Sequence, residues 1–186
     1  MVQKNRIQTA RLDLIPATPG MLRCEGTDPN RLGELIDAKI PPSWPPPLLD
    51  PETIDQFISI LSGNRDPHFC SWYWVLDATP PSGRVLVGSG GTASCPGACC
   101  AVVIGYSVLE EYQRRGYATE AVGGLIGAVF SDPSIAQICA TTYPELKASI
   151  RVLEKNQFLP AAPVAGGEGI AEGTLLFVRA RIPEEQ

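Results

Sequence analysis

The stretch from Ala101 to Phe130, AVVIGYSVLEEYQRRGYATEAVGGLIGAVF, constrains the fold more than any other part of the chain. Ala101 to Leu109 is a β-branched apolar run that reads as a buried strand, and Thr119 to Phe130 is an apolar run long enough for a helix. The turn QRRGYA joins them. Gly116 in that turn can take a positive φ, and Ala118 is small. A strand-turn-helix of this kind points the free N–H groups of the helix's first turn back toward the strand's end. Those donors and the positive end of the helix dipole together attract a phosphate or pyrophosphate.

The 186 residues, 44% of them hydrophobic, suffice for one well-cored domain, so a single domain over residues 1–186 is expected. A net charge of -5 disfavours non-specific binding to nucleic acid and to anionic membranes, and weakly suits a small cationic substrate. The apolar runs fall short of the ~18 residues of a membrane span. The start, MVQKNRIQTARLDL, has no apolar h-region, so a soluble cytoplasmic protein is expected. Cys24, Cys70, Cys95, Cys99, Cys100 and Cys139 form no C-x-x-C pair, and His68 is the lone histidine. Free thiols in a reducing compartment, and no metal, are the expectation.

The rest of the chain supplies the neighbours of that stretch. Arg6 to Pro16 alternates as a half-buried strand with Arg11 and Asp13 on its polar side, and Leu32 to Ile40 has helical spacing. PPSWPPPLLDP, residues 41 to 51, is a stiff loop carrying Trp44, since proline removes amide donors. Asp50 and Pro51 then open a helix whose buried face is Ile54, Phe57, Ile58 and Leu61 and which Gly63 closes. Ser71 to Asp77 and Val85 to Ala93 read as an antiparallel hairpin around TPPSG. Gly123, Gly124 and Gly127 each cost about 1 kcal/mol in the central helix, which close approach to the sheet would offset. Gln137 to Thr142 completes a β-α-β unit, Pro144 and Glu145 open a helix with Leu146, Ile150 and Leu153 inward, and the segment from Ala161 to Ile182 ends the chain as a hairpin. The order implies a mixed α/β sheet.

In that order, the residues resemble the GNAT superfamily of N-acetyltransferases. The family's acetyl-CoA motif, Gln or Arg, two residues, Gly, one residue, then Gly or Ala, is here Gln113, Arg114, Arg115, Gly116, Tyr117, Ala118. TARLDLIPAT, IGYSV, GYATEA and KASIRVLEKNQF look like the branch containing the ribosomal-protein N-terminal acetyltransferases. The resemblance implies a GNAT-like acyl-CoA N-acyltransferase fold, a twisted mixed sheet flanked by helices. It departs at Leu146, where the family often has Asn, at Gln157, where it has Gly beside an Asn156 able to close the helix in a left-handed conformation, and at Leu153, where many members have Tyr. GSGGTA, with Gly88, Gly90 and Ala93, matches a dinucleotide fingerprint, but Cys95, Pro96 and Gly97 follow in place of a helix.

The resemblance implies acetyl transfer from acetyl-CoA to a primary amine, of a small molecule or a protein N-terminus, by direct attack. Main chain around Val108 would meet the pantetheine, and the amides from Arg114 to Thr119 the pyrophosphate. Arg114 and Arg115 add charge there or belong to a solvated turn. Ser149 fits the family's serine serving the thiolate, or is a helix serine bonded to the preceding turn. The base aligns with Glu168 or equally with Glu172. Tyr106 and Tyr143 could instead relay a proton through water, or be packed aromatics. His68 reads as a loop residue rather than a base. Trp44 reads as an acceptor-side aromatic or as a cap on the core's edge. A non-catalytic acyl-CoA-binding module is the alternative from another class. The acceptor and the oligomeric state, a homodimer among the options, stay open.

Overall fold

Three helices in the first third of the chain begin on one piece of local chemistry, a short polar side chain followed by proline. The computed structural model describes residues 5–46, 49–63, 66–77, 83–95, 100–161 and 173–182. Thr18 accepts from the Met21 amide at the start of α1 (Pro19–Cys24), and Asp28 from the Arg31 amide at the start of α2 (Pro29–Ile36). Asp50 Oδ1 accepts from the Thr53 amide at 2.8 Å to open α3 (Pro51–Gly63). Each side chain satisfies a first-turn donor, and each proline sits where its missing N–H costs nothing.

The strands are β1 (Ile7–Gln8), β2 (Leu12–Pro16), β3 (Cys70–Leu76), β4 (Val85–Ser94), β5 (Ala101–Val108), β6 (Gln137–Thr142), β7 (Leu159–Ala161) and β8 (Leu175–Ala180). They form one eight-stranded sheet in the order β1-β2-β3-β4-β5-β6-β8-β7. Among the described strands, β5 and β6 are the one pair that runs parallel, connected through α4 (Tyr117–Phe130) as the β-α-β reading requires, and α5 (Lys147–Lys155) follows β6. The sheet is covered on both faces. Leu12, Leu14, Trp72, Trp74, Val102 and Ile104 pack under α4 and α5 with Leu125, Val129 and Leu153. Tyr73, Val75 and Leu86 pack on the opposite face with Leu22, Leu32, Ile36 and Ile54. Full burial of such a side chain stabilises by roughly 1.5–3 kcal/mol, so the covered sheet is the rigid platform on which the loops are placed.

Several sequence expectations change. The strand expected over Arg6 to Pro16 is a hairpin of β1 and β2, because Thr9 Oγ1 accepts from the Leu12 amide and folds the chain back. Asp13 is not on a wet face. It is fully buried, bonded to Arg6 and to Arg84 Nη2, the latter at 2.6 Å. α2 spans Pro29–Ile36 rather than 32 to 40, closed by Asp37 in the left-handed region, and α1 precedes it. α5 starts at Lys147 rather than at Pro144, so Leu146 becomes an N-terminal flanking residue, 48% exposed instead of inward-facing. At its other end the left-handed residue is Gln157, φ 62, not Asn156, φ -92.

The helix glycines have separate accounts. A Cβ at Gly124 would meet Thr9 and Ile7 side chains at 3.1 and 3.3 Å, so the close approach to the sheet's edge is real there. One at Gly123 would meet Oδ1 of Asn156, the residue after α5, at 3.3 Å. Nothing lies within 4 Å of a Cβ at Gly127, and nothing in the structure explains that glycine. Gly88 and Gly90, the dinucleotide decoy, lie inside β4 and make room for Trp74, whose Cζ2 would be 2.4 Å from a Cβ at Gly90.

Candidate active site

The turn between β5 and α4 is fixed by backbone conformation and by the N-terminal hairpin. A 3-10 turn over Glu110–Tyr112 leaves β5, Arg114 takes φ 60, and Gly116 takes φ 83 as the N-cap of α4, with no side-chain capping bond. The first-turn amides of α4 have no intrahelical acceptor by construction. Gln113 Nε2 donates to the Val108 carbonyl at 3.0 Å, closing the turn against the strand it leaves. Glu120, one turn into α4, accepts from Thr9 Oγ1 at 2.6 Å and from Arg11 N and Nε at 2.7 Å each. Burial pushes the Glu120 carboxyl up, but the bonds from Thr9 and Arg11 outweigh it and hold the group below the usual carboxylate range. Arg11 Nη1 also donates to the Arg115 carbonyl at 3.0 Å, and its guanidinium lies 4.7 Å from the Tyr117 ring centroid. Arg115 donates to the Glu111 carbonyl and lies over Tyr112, while Arg114 is exposed. Behind the turn, Asn156 Nδ2 donates to the Thr119 carbonyl at 3.1 Å and ties α5 to the start of α4.

The sheet opens beside this turn. Parallel pairing joins only Ala101–Val103 to Gln137–Cys139. Beyond that, Ile104 to Val108 stay on β4, and Ala140 to Thr142 stay on β8. The two strands therefore part toward their C-terminal ends, where open α/β sheets bind ligands.

Tyr106 and Ser149 come together on the α4–α5 side of this opening. Their hydroxyl oxygens are 3.1 Å apart, and Tyr106 also donates to the Ser149 carbonyl at 3.2 Å. Burial raises the Tyr106 phenol, partly opposed by the bond to Ser149. The phenol ring lies near-parallel to the Trp74 indole, centroids 6.4 Å apart. Trp74 Nε1 and Thr142 Oγ1, the latter at the end of β6, are buried with no hydrogen-bond partner among the described residues. Buried polar atoms are seldom left so. Thr142 escaped sequence reasoning because only the parting of the strands distinguishes it from an ordinary strand threonine.

On the opposite face, a cleft of about 370 Å³ runs from α3 and the end of the proline loop across β4 and β5 to Thr141. Trp44 stands apart from its lining. Its indole is 6.0 Å from the Tyr73 ring, and Nε1 donates to Glu25 Oε2 at 2.9 Å. Tyr73 donates to the other Glu25 oxygen at 2.6 Å, and burial pushes this carboxyl up, against those two bonds. Glu25 had no signal in the sequence, since its partners come from two distant segments. His68 precedes β3, half-buried, its amide on Asp66 and its carbonyl accepting from Thr92. Tyr143 is 44% exposed. Glu168 and Glu172 lie outside the described residues. The five described cysteines are free thiols, and no helix among the described residues is long and apolar enough to cross a membrane.

Against known proteins, a family model described as acetyltransferase (GNAT) domain matches residues 33–159. No curated protein sequence matches. Among solved structures, the chain is similar to Mycobacterium smegmatis RimJ in complex with a CoA-disulfide, at 19% identity and TM-score 0.63, covering 96% of this chain and 88% of that one. It is similar to the RimL ribosomal alpha-N-protein acetyltransferase in complex with coenzyme A, at 15% and 0.64, covering 95% and 98%. A third similar structure, the microcin C7 self-immunity acetyltransferase MccE in complex with acetyl-CoA and AMP, shows 13% and 0.59, covering 92% and 93%.

Proposed function

The chain belongs to the GNAT acetyltransferase family, and from that premise we propose that it is an acetyl-CoA-dependent N-acetyltransferase acting on a primary amine. The observation that carries this reading is the conjunction of an uncapped α4 N-terminus at Gly116 with the parting of β5 and β6 beside it. The amides from Arg114 to Thr119 would hold the pyrophosphate, and the strand edge near Val108 the pantetheine. Arg114, exposed, is available to add charge, whereas Arg115 is engaged on the Glu111 carbonyl.

In the reaction the amine nitrogen forms a bond to the acetyl carbonyl carbon, the C–S bond breaks, the nitrogen loses a proton and the thiolate gains one. We assign the proton to the thiolate to Tyr106 and Ser149, which share a hydrogen bond and so hold one another in place. The proton from the amine goes to a carboxylate of the 162–172 segment, Glu168 or Glu172. Trp44 acts in this reading as a brace for the proline loop rather than as a substrate contact, because its indole N–H is committed to Glu25.

Isothermal titration with acetyl-CoA, followed by a free-thiol assay over a panel of primary amines, tests the proposal. Saturable binding with amine-dependent thiol release is the expected result. Absence of binding at high micromolar acetyl-CoA would sink it, and binding without thiol release from any amine would leave a CoA-binding module instead.

A further inference from the structure

The cleft on the α3 face bears on which amine is used, and the inference drawn from it rests on the N-acetyltransferase reading above. Much of its floor carries small residues of β4 and β5, Ser89, Gly91, Gly105 and Ser107 among them. Ser89 and Ser107 stand opposite one another in register, and Gly105 is exposed with nothing within 4 Å of the place a Cβ would occupy. Its walls are apolar, with Leu49 from the proline loop, Val103 from β5, and Phe57 and Phe69 in an edge-to-face pair 4.9 Å apart. Every described lining residue is uncharged. The cleft's lining includes Thr141 and Tyr106, where β5 and β6 part, so it approaches the Tyr106–Ser149 pair from the face opposite α4.

Such a space accepts an apolar body and rejects a second charge. An ammonium taken from water into these walls would be desolvated against no carboxylate from the described lining. At about 370 Å³ it lies at the small end of ligand pockets, which run from ~300 to ~1,000 Å³. We propose that the acceptor is a small primary amine on an aromatic or branched-aliphatic body, the body lying between α3 and the β4–β5 floor and the nitrogen at the parting of β5 and β6. The amine is the one cation the substrate carries, which narrows the cationic preference suggested by the protein's net charge of -5.

The test compares kcat/KM by thiol release, at saturating acetyl-CoA, for 2-phenylethylamine, ethylamine and 1,4-diaminobutane, with acetyl-CoA affinity measured separately by titration. 2-Phenylethylamine should exceed ethylamine by roughly 10-fold to 100-fold, the gain from burying one aromatic body, and 1,4-diaminobutane should do no better than ethylamine. A Cβ at Gly105 meets nothing within 4 Å, so Gly105→Leu projects into the cleft from its floor and should cut the 2-phenylethylamine kcat/KM by about tenfold or more while acetyl-CoA binds as before. Phe57→Ala should relax the preference among amine bodies. The proposal is overturned if 1,4-diaminobutane or a peptide amine outruns 2-phenylethylamine, if Gly105→Leu leaves the rate unaltered, or if 2-phenylethylamine is not acetylated by protein that binds acetyl-CoA. In those cases the acetyl-CoA reading stands. Failure to bind acetyl-CoA overturns that reading and this one together.

Discussion

Replacing Gly116 by valine separates the conformation of the donor turn from the stability of the fold. At φ 83 the residue lies in the left-handed region, where an L side chain costs about 1–2 kcal/mol and a β-branched one more. Contact adds little, because the nearest atom to a new Cβ is Arg11 Nη2 at 3.3 Å, the end of a flexible side chain. A thermal shift of ~2–4 °C per kcal/mol for a chain of this size gives an expected fall of roughly 4–8 °C. The valine relieves its strain by leaving the left-handed region, which turns the first amides of α4 away from a common point. Loss of two charge-assisted hydrogen bonds, at ~1.5–3 kcal/mol each, weakens CoA binding by about 10²-fold to 10⁴-fold. Gly83→Val is the control, since Gly83, two residues before β4, has φ 64 with nothing within 4 Å of a new Cβ. It should lose similar stability and keep its CoA affinity. Titration calorimetry below both melting points decides the matter, and a Gly116→Val protein binding CoA within about threefold of the parent would refute the reasoning.

Further outcomes follow from other contacts. Tyr106→Phe and Ser149→Ala should each lower kcat by roughly 10-fold to 100-fold and alter the alkaline limb of the pH–rate profile, and the double variant should lose little more than the worse single one, because they share one hydrogen bond; fully additive losses would contradict a joint role. Gln157→Gly should raise the unfolding free energy by about 0.5–1 kcal/mol, seen in urea denaturation, because Gln157 occupies the left-handed position of a helix stop in which the Phe158 amide bonds the Leu153 carbonyl at 3.0 Å. For Asp13, burial pushes the carboxyl up but Arg6 and Arg84 hold it below its ordinary value. A carboxyl depressed in the folded state stabilises at pH above its unfolded value, near ~3.9, and loses that contribution as pH falls through the lower folded value. Asp13→Asn should therefore cost about 3–5 kcal/mol at pH 7, with the gap to the parent narrowing below pH ~4; a gap independent of pH would refute the assignment.

What could be read in the sequence was what neighbours in the chain decide. Gly116 between an apolar strand and an apolar helix, Asp50 before Pro51, and the run QICATT after α4 each carry their cause within a few residues. The misreadings came from partners far along the chain. Arg6 to Pro16 alternates well enough for one strand, and breaks at Thr9, where the local bond from the Leu12 amide is joined by bonds from Thr9 and Arg11 to Glu120 in α4. Asp13 looked solvent-facing because the arginine that buries it, Arg84, belongs to the other end of a hairpin. Glu25 and Trp44 are 19 residues apart and bond directly beside Tyr73, on β3, whose hydroxyl donates to Glu25 and whose ring lies against Trp44. For the site, the turn was legible and the pairing of Tyr106 with Ser149 was not, since it depends on how α5 lies across the parted strands.

If the start of α4 binds an anion as proposed, the contacts from Arg11 and Thr9 to it change the thermodynamics of that recognition. A loose turn of four residues would have to be ordered on binding, at ~1–2 kcal/mol of backbone entropy per residue. Here Arg11 holds the Arg115 carbonyl, the Tyr117 ring and the Glu120 carboxylate at once. The turn is thus ordered during folding rather than at the encounter, and under the proposed function its amides would meet a pyrophosphate already aligned. A residue more than a hundred positions upstream, with no place in the acetyl-CoA motif, would in the proposed reaction contribute to affinity by what it spares the ligand.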